Sequence, residues 1–255
     1  MGAFALSFGV GCSHDRGEAA STHPIGASGM STTPVATSPS ETSTPASGKL
    51  DGCVGKRDGK VIRIKVADTH LDGVLIGRGP VGVVLAHERG RNLCDWLPYA
   101  HHLARRGFAA MAFDFKTYAA GLVESVESAA GELRRRGVEG VVLIGASMGG
   151  TAVLDAARRV PGVLGVVSVS GPATFGDADA AKAVRALHAP VLFIVAHDDS
   201  EFIGDARSLY SHAQSEDKTL EVLPGFAHGT GFFAAPLGGR AVRLTDQFVT
   251  GLAAR

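Results

Sequence analysis

The sequence lacks any excess of charge: 25 basic side chains meet 25 acidic ones, for a formal net charge of zero. That balance argues against a general electrostatic affinity for nucleic acid. It also lacks an apolar run approaching the ~18 residues of a membrane-spanning helix, which argues against a mature transmembrane protein. No Gly-x-Gly-x-x-Gly element follows the first strand-like segment, so no dinucleotide cofactor is indicated, and no other cofactor is called for. Internal repeats are missing, and cysteine is scarce at three. What is present is ordinary for a globular chain: of 255 residues, 45% are hydrophobic and 20% charged, enough for one large domain or two small ones. Glycine is abundant at 34, which favours tight turns and close backbone approaches.

The first residues, MGAFALSFGVGC, form a short apolar stretch ending at Cys12. The stretch resembles the end of a bacterial lipoprotein signal, in which the cysteine after a small residue is lipidated and becomes the mature N-terminus; the alternative is an uncleaved apolar terminus. Residues 13–48 are dominated by Ser, Thr, Pro, Gly and Ala and hold too few large apolar side chains to build a core. As a flexible coil this segment spans roughly 30–36 Å, the reach of a tether holding a domain clear of a membrane surface. The expected organisation is a signal-like segment over 1–12, a disordered tether over 13–48 and a folded domain over 49–255. The expected location is outside the cytoplasm, with lipid on Cys12 anchoring the protein to the outer face of the cytoplasmic membrane. Cys53 and Cys94 then remain. An oxidising compartment allows them to bridge, the alternative being two buried thiols.

From Lys49 onward the hydrophobicity becomes periodic. Residues 61–66 (VIRIKV) alternate apolar and charged side chains, as a half-buried strand does, and 71–76 read as the hairpin partner. The continuous runs VGVVLA (81–86), FAAMAF (108–113) and VLFIVA (191–196) suit strands covered on both faces. Strands are also predicted at 141–144, 164–169 and 219–223. Helical spacing falls between them at 97–106, 122–136, 149–159, 203–213 and 240–252, and the second of these ends in basic residues before Gly137, a helix stop. The alternation predicts an α/β fold: a mostly parallel sheet with an N-terminal antiparallel hairpin and helices on both faces. Such sheets bind ligands at the carboxyl ends of their strands, so the chemistry is expected just after each strand.

Three strand ends carry reactive side chains. After VVLI comes Gly145-Ala146-Ser147-Met148-Gly149-Gly150 and then a helix. This is a Gly-x-Ser-x-Gly turn between strand and helix, which lifts a serine hydroxyl into the open and aims the next N–H, that of Met148, at an oxyanion. After VLFIVA comes His197-Asp198-Asp199, where a carboxylate can orient a base histidine, although acidic residues here also suit a helix cap. After the last strand comes Pro224-Gly225-Phe226-Ala227-His228-Gly229. The order Ser, Asp, His lifts His228 above an ordinary loop histidine.

On VVLAH, GASMGG, PVLFIVAHDD and GFAHG, the domain resembles the α/β-hydrolase superfamily from about residue 51 to 252, and within it the smaller cap-less bacterial esterases and dienelactone-hydrolase-like proteins. The resemblance implies Ser147 as nucleophile and His228 as base. It places the acid three residues beyond the small residue closing the strand, which is Asp199, with Asp198 as the alternative. It implies a second oxyanion donor after the third strand, a role that falls on the backbone N–H of Glu88. The glycine usual in that loop is replaced in His87-Glu88-Arg89-Gly90, and His87 is expected to order the loop rather than to take part in catalysis. A Cys53–Cys94 bridge would staple the N-terminal hairpin to the oxyanion side.

These parts predict a serine hydrolase that cleaves small carboxylic esters through an acyl-enzyme. Only residues 170–189 separate two successive strands, too few for a large cap, so an open, shallow site is expected. Phe175, Phe202, Phe226, Phe232 and Phe233 are candidates for an apolar acyl wall, and Tyr118 for the lining. The expected partner is a small-molecule ester, with the membrane surface met through the lipid anchor; oligomeric state is not indicated. Other readings are an acyl or thioester transferase on the same triad, a non-catalytic surface-binding lipoprotein, and a metal hydrolase using His101, His102 or His197-Asp198-Asp199. Adjacent histidines on a helix point to different faces and chelate poorly, so no metal is expected.

Overall fold

Alternation of apolar residues decides which face each strand of this domain buries. The computed structural model describes residues 50–55 and 58–255, and the expectations for 1–12, for 13–48 and for Cys12 lie outside the described residues. Strand β1 (Lys60–Val66) turns Ile62, Ile64 and Val66 inward and leaves Arg63 and Lys65 in solvent. It pairs antiparallel with β2 (Thr69–Ile76). The strands that follow are β3 (Val81–Ala86), β4 (Ala109–Phe113), β5 (Gly140–Ala146), β6 (Val163–Val169), β9 (Val191–Ala196) and β10 (Lys218–Leu223). The sheet runs β1-β2-β4-β3-β5-β6-β9-β10, antiparallel at β1/β2 and β2/β4 and parallel elsewhere.

The main helices are α1 (Leu97–Arg105), α2 (Leu122–Arg135), α3 (Met148–Ala156), α5 (Ile203–His212) and α6 (Arg240–Ala253). Odd-numbered strand residues such as Met111, Leu143 and Phe193, with Val84, pack with Val126 of α2, Val153 of α3 and Leu209 of α5. Even-numbered neighbours such as Ala112, Ile144 and Ile194, with Leu85, pack with Leu103 of α1 and Val249 of α6. Both faces of the parallel strands are therefore covered, which is why those strands read as unbroken apolar runs. Leu85 and Leu143 are fully buried, and truncating either to Ala costs about 2–5 kcal/mol.

Helices α1 and α2 stop alike. Gly107 and Gly137 adopt φ of 89° and 88°, and the amides of Phe108 and Val138 reach back to the carbonyls of Leu103 and Leu133 at 3.2 Å, the Schellman pattern. The start of α2 is capped from outside. A small hairpin, β7 (Thr174–Phe175) and β8 (Ala178–Asp179), carries Asp177, whose carboxylate accepts from the amides of Gly121 and Leu122 at 2.7 and 3.1 Å. With the one-turn helix α4 (Ala180–Ala183), this hairpin is what residues 170–189 form in place of a cap.

Strand β3 lies between β4 and β5, so the chain leaves it to one side and returns on the other. Its carboxyl end is the switch point where such sheets open a crevice.

Candidate active site

Ser147 follows directly on β5 and precedes α3. It sits at φ 47° and ψ −116°, a conformation costing a non-glycine residue about 1–3 kcal/mol and concentrated at functional sites. Backbone bonds hold it there: Ser147 N–H donates to Val169 at 2.8 Å, and Thr151 N–H donates to Ser147 at 3.1 Å. The glycines around it are required by contact. A Cβ on Gly145 would meet the Gly149 carbonyl, one on Gly149 the carbonyls of Ala86 and His87, and one on Gly150 the Ser168 hydroxyl. Gly149 thus lets the elbow press against the end of β3. Met148 is the first residue of α3, so its N–H has no intrahelical acceptor.

The histidine and one carboxylate meet. His228 Nδ1 donates to Asp199 Oδ2 at 2.8 Å, and the Asp199 side chain is only 10% exposed. Asp199 is placed by turn bonds after β9, with the amides of Phe202 and Ile203 donating to its carbonyl at 3.0 Å each. Asp198 is turned elsewhere, its exposed carboxylate taking a bond from His197 Nδ1 at 2.6 Å. The His228 loop lies over the end of β5. A Cβ on Gly229 would sit 3.5 Å from that of Ala146, and Gly229 N–H donates to Ser170 Oγ at 3.4 Å. Among the described residues Ser147 and His228 share no hydrogen bond.

The loop after β3 completes the surroundings. Glu88, Arg89, Gly90 and Arg91 form a turn closed by Arg91 N–H donating to Glu88 O at 3.3 Å, with Gly90 at φ 76°, the position of a type II turn that favours glycine. His87 Nδ1 donates to the same carbonyl at 2.7 Å, while its Nε2 accepts from Phe115 N–H at 3.0 Å. Both ring nitrogens are thus spent on loop backbone in the neutral tautomer, and burial pulls the imidazole down to about 4. Asp114, 3.9 Å from His87, is pushed up to about 6 by burial, against the pull of the Leu93 N–H bond and with help from the charge of Asp72.

Cys53 and Cys94 form a disulfide with Cα atoms 5.8 Å apart. It ties the segment ahead of β1 to the 3-10 turn Leu93–Trp96, rather than stapling the hairpin itself. The aromatic candidates separate. Phe202 lies 4.4 Å from the His228 ring, and Phe226 is 83% exposed. Phe233 is core, wedged 5.0 Å from Trp96 and 4.8 Å from Tyr99. Phe175, Tyr118 and Phe232 pack partly buried against the core. His101 pairs with Asp58 and His102 with Asp246, so the two neighbouring histidines serve separate contacts. Sequence reasoning missed the Glu88 side chain. Its Oε1 accepts from Thr230 Oγ1 at 2.8 Å and its Oε2 from Thr230 N–H at 3.3 Å; nothing in a pair of residues 142 positions apart announces that contact.

Residues 119–239 match the dienelactone hydrolase family, a range containing Ser147, Asp199 and His228. No curated protein matches the chain. Among solved structures, a thermophilic esterase from Thermogutta terrifontis is 14% identical with a TM-score of 0.62, covering 76% of this chain and 99% of its own. A monoacylglycerol lipase from Paleococcus ferrophilus is 20% identical with a TM-score of 0.59, covering 72% and 98%. A proline iminopeptidase from Mycobacterium smegmatis is 13% identical with a TM-score of 0.62, covering 77% and 100%. At these identities the solved structures establish the shared fold. The chain thus shares its α/β fold with esterases and other hydrolases, and over residues 119–239 it is similar to the dienelactone hydrolase family.

Proposed function

We propose that Ser147, His228 and Asp199 form a catalytic triad that cleaves small carboxylic esters through an acyl-enzyme. The observation that carries the reading is the Asp199–His228 pair at 2.8 Å, set beside a serine held at positive φ. With the Nδ1 proton directed to Asp199, Nε2 presents its lone pair as a base. The bond from Ser147 to Nε2 belongs to the encounter with substrate, since catalytic hydrogen bonds are commonly long beforehand and tighten in the Michaelis complex. His228 then takes the serine proton as Oγ attacks the ester carbonyl. The oxyanion is received by the N–H of Met148 and the N–H of Glu88. Collapse expels the alcohol, which takes its proton from His228, and water hydrolyses the acyl-enzyme with the same base.

The short hairpin, one-turn helix and 3-10 turn between β6 and β9 support a site open to small or surface-presented esters. Phe202 against the imidazole and Phe226 on the rim offer apolar surface for the acyl group. The disulfide supports an oxidising, extracytoplasmic compartment, and no helix among the described residues is long and apolar enough to cross a membrane. Lipidation of Cys12 is the proposed anchor; incorporation of a labelled fatty acid that is lost in Cys12→Ala tests it, and equal labelling of both chains refutes it.

The triad is tested with p-nitrophenyl esters of increasing acyl length. Ser147→Ala is expected to lower turnover by about 10³-fold or more, with loss of labelling by a fluorophosphonate. A loss below about tenfold refutes the assignment.

A further inference from the structure

We propose that the Glu88 side chain is a positioning residue for the reaction, bracing Thr230 so that the imidazole of His228 is held in register with Ser147. The inference rests on the triad reading above and extends it to a residue the family match does not reach, since that match begins at residue 119.

The Glu88 carboxylate is 10% exposed, and a carboxylate withdrawn from water is costly unless its oxygens are bonded. Here both oxygens are engaged by one residue, Thr230, through its hydroxyl at 2.8 Å and its amide at 3.3 Å. Arg91 Nε stands 3.5 Å from Oε1, but its side chain is 61% exposed and screened by solvent. The Thr230 contact is therefore the main satisfaction of this buried charge. It joins the loop after β3 to the loop after β10, the two elements that must keep a fixed spacing if the oxyanion donor and the base are to act on one carbonyl.

The surroundings are shaped to admit this clamp. Gly229 has φ 52°, and a Cβ there would overlap Glu88 Oε2, so glycine lets the carboxylate lie directly over the residue that follows His228. Glu88 Oε2 is also 4.0 Å from His228 Nε2. The main chain of Glu88 is fixed as well, its carbonyl accepting from His87 Nδ1 and Arg91 N–H. One residue thus has its backbone on the oxyanion side and its side chain on the base side. The 3-10 turn Gly229–Phe233 is held at its far end by Phe233 between Trp96 and Tyr99. Glu88 holds the near end, next to the imidazole. Loss of the near hold lets His228 drift while the far end stays packed, and a drift of about 1 Å at a catalytic group costs on the order of 10²-fold.

The experiment compares Glu88→Ala, Glu88→Gln, Thr230→Val, Thr230→Ser and the double variant Glu88→Ala/Thr230→Val, with Ser147→Ala alongside, on a short-chain p-nitrophenyl ester. Rates are normalised to the serine titrated by fluorophosphonate, and for Ser147→Ala to folded protein by circular dichroism, so loss of folded protein does not count as loss of kcat. Glu88→Ala is expected to lower kcat about 30- to 100-fold with KM within about threefold. Glu88→Gln, which keeps an oxygen for the Thr230 hydroxyl, is expected to recover to within about fivefold of the parent, and Thr230→Ser to retain full clamping. Thr230→Val is expected to cost about tenfold, and the double variant no more than Glu88→Ala alone, since both changes break one contact. A Glu88→Ala kcat within threefold of the parent, or losses that multiply in the double variant, overturns the proposal. If Ser147→Ala abolishes turnover while Glu88→Ala does not, only the clamp falls; if Ser147→Ala retains turnover, the triad falls first.

Discussion

Asp114 and His87 are expected to hide each other's pH dependence, and Asp114→Asn should expose it. Asp114 is held in the folded chain at about 6 against an ordinary value of 3.8, chiefly by burial. Between those values the folded state binds the extra proton, so stability falls as pH rises through the window from about 4 to 6. At 1.36 kcal/mol per unit the full cost above pH 6 approaches about 3 kcal/mol, and the partial exposure of the group reduces it to about 1–3 kcal/mol. His87 runs the other way. It is held at about 4 against 6.5, again chiefly by burial. The unfolded state takes its proton first, and stability is lost as pH falls from about 6.5 to 4. The two groups lie 3.9 Å apart, and their slopes oppose over nearly the same window. Replacing Asp114 by Asn keeps an oxygen for the Leu93 amide and removes one slope only. Urea unfolding of both proteins at intervals from pH 4.5 to 8 reads the outcome. The variant should exceed the parent by about a third of the full difference near pH 4.5 and by about 1–3 kcal/mol at pH 8. A difference independent of pH, or a variant less stable at pH 8 than at pH 4.5 relative to the parent, refutes the reasoning.

Three further changes address the site and its frame. Asp199→Asn should lower kcat by about 10⁴-fold by favouring the wrong imidazole tautomer, whereas Asp198→Asn, whose partner is the exposed His197, should stay within about twofold; equal effects in steady-state kinetics would reverse the choice of acid. Gly149→Ala should abolish turnover and lower the thermal midpoint, because its methyl meets the carbonyls of Ala86 and His87, and a variant with parental kcat would show that the elbow need not press on β3. Cys53→Ser with Cys94→Ser removes a cross-link between residues 41 apart and should cost about 2–4 kcal/mol; denaturant midpoints of the oxidised parent and the variant that coincide would leave the bridge no role in stability.

The fold was legible because each strand's environment is written in its own residues. VGVVLA and VLFIVA are continuous because helices cover both faces of β3 and β9, and VIRIKV alternates because β1 lies at the sheet edge with one face in water. The order of strands in space was not legible in the same way. Nothing in β3 itself records that β4 and β5 flank it, because a buried apolar run is the same whichever neighbour it meets. Two-residue strands such as β7 and β8 carry no period at all, and Asp177 caps a helix that begins 55 residues earlier, beyond the reach of local pattern.

The site divides along the same line. Ser147 was readable because a sharp strand-to-helix turn demands glycines locally, at 145, 149 and 150, and each of these contacts backbone or a hydroxyl that a Cβ would strike. Asp199 and Asp198 are chemically identical neighbours, and only the turn after β9 decides that one faces His228 and the other His197. Five phenylalanines were equivalent in composition, yet one lies tilted against the imidazole, one projects into solvent and one sits in the core. Glu88 shows why. The backbone role proposed for it follows from its place after β3, a local fact, but its side chain is buried only because Thr230 arrives from the far end of the chain to satisfy it. A lone charged residue in a loop reads as solvated until the partner that removes it from water is in view. Residues whose burial depends on a distant partner therefore escape a reading of the sequence, and in this protein Glu88 and Thr230 meet between the loops that follow β3 and β10.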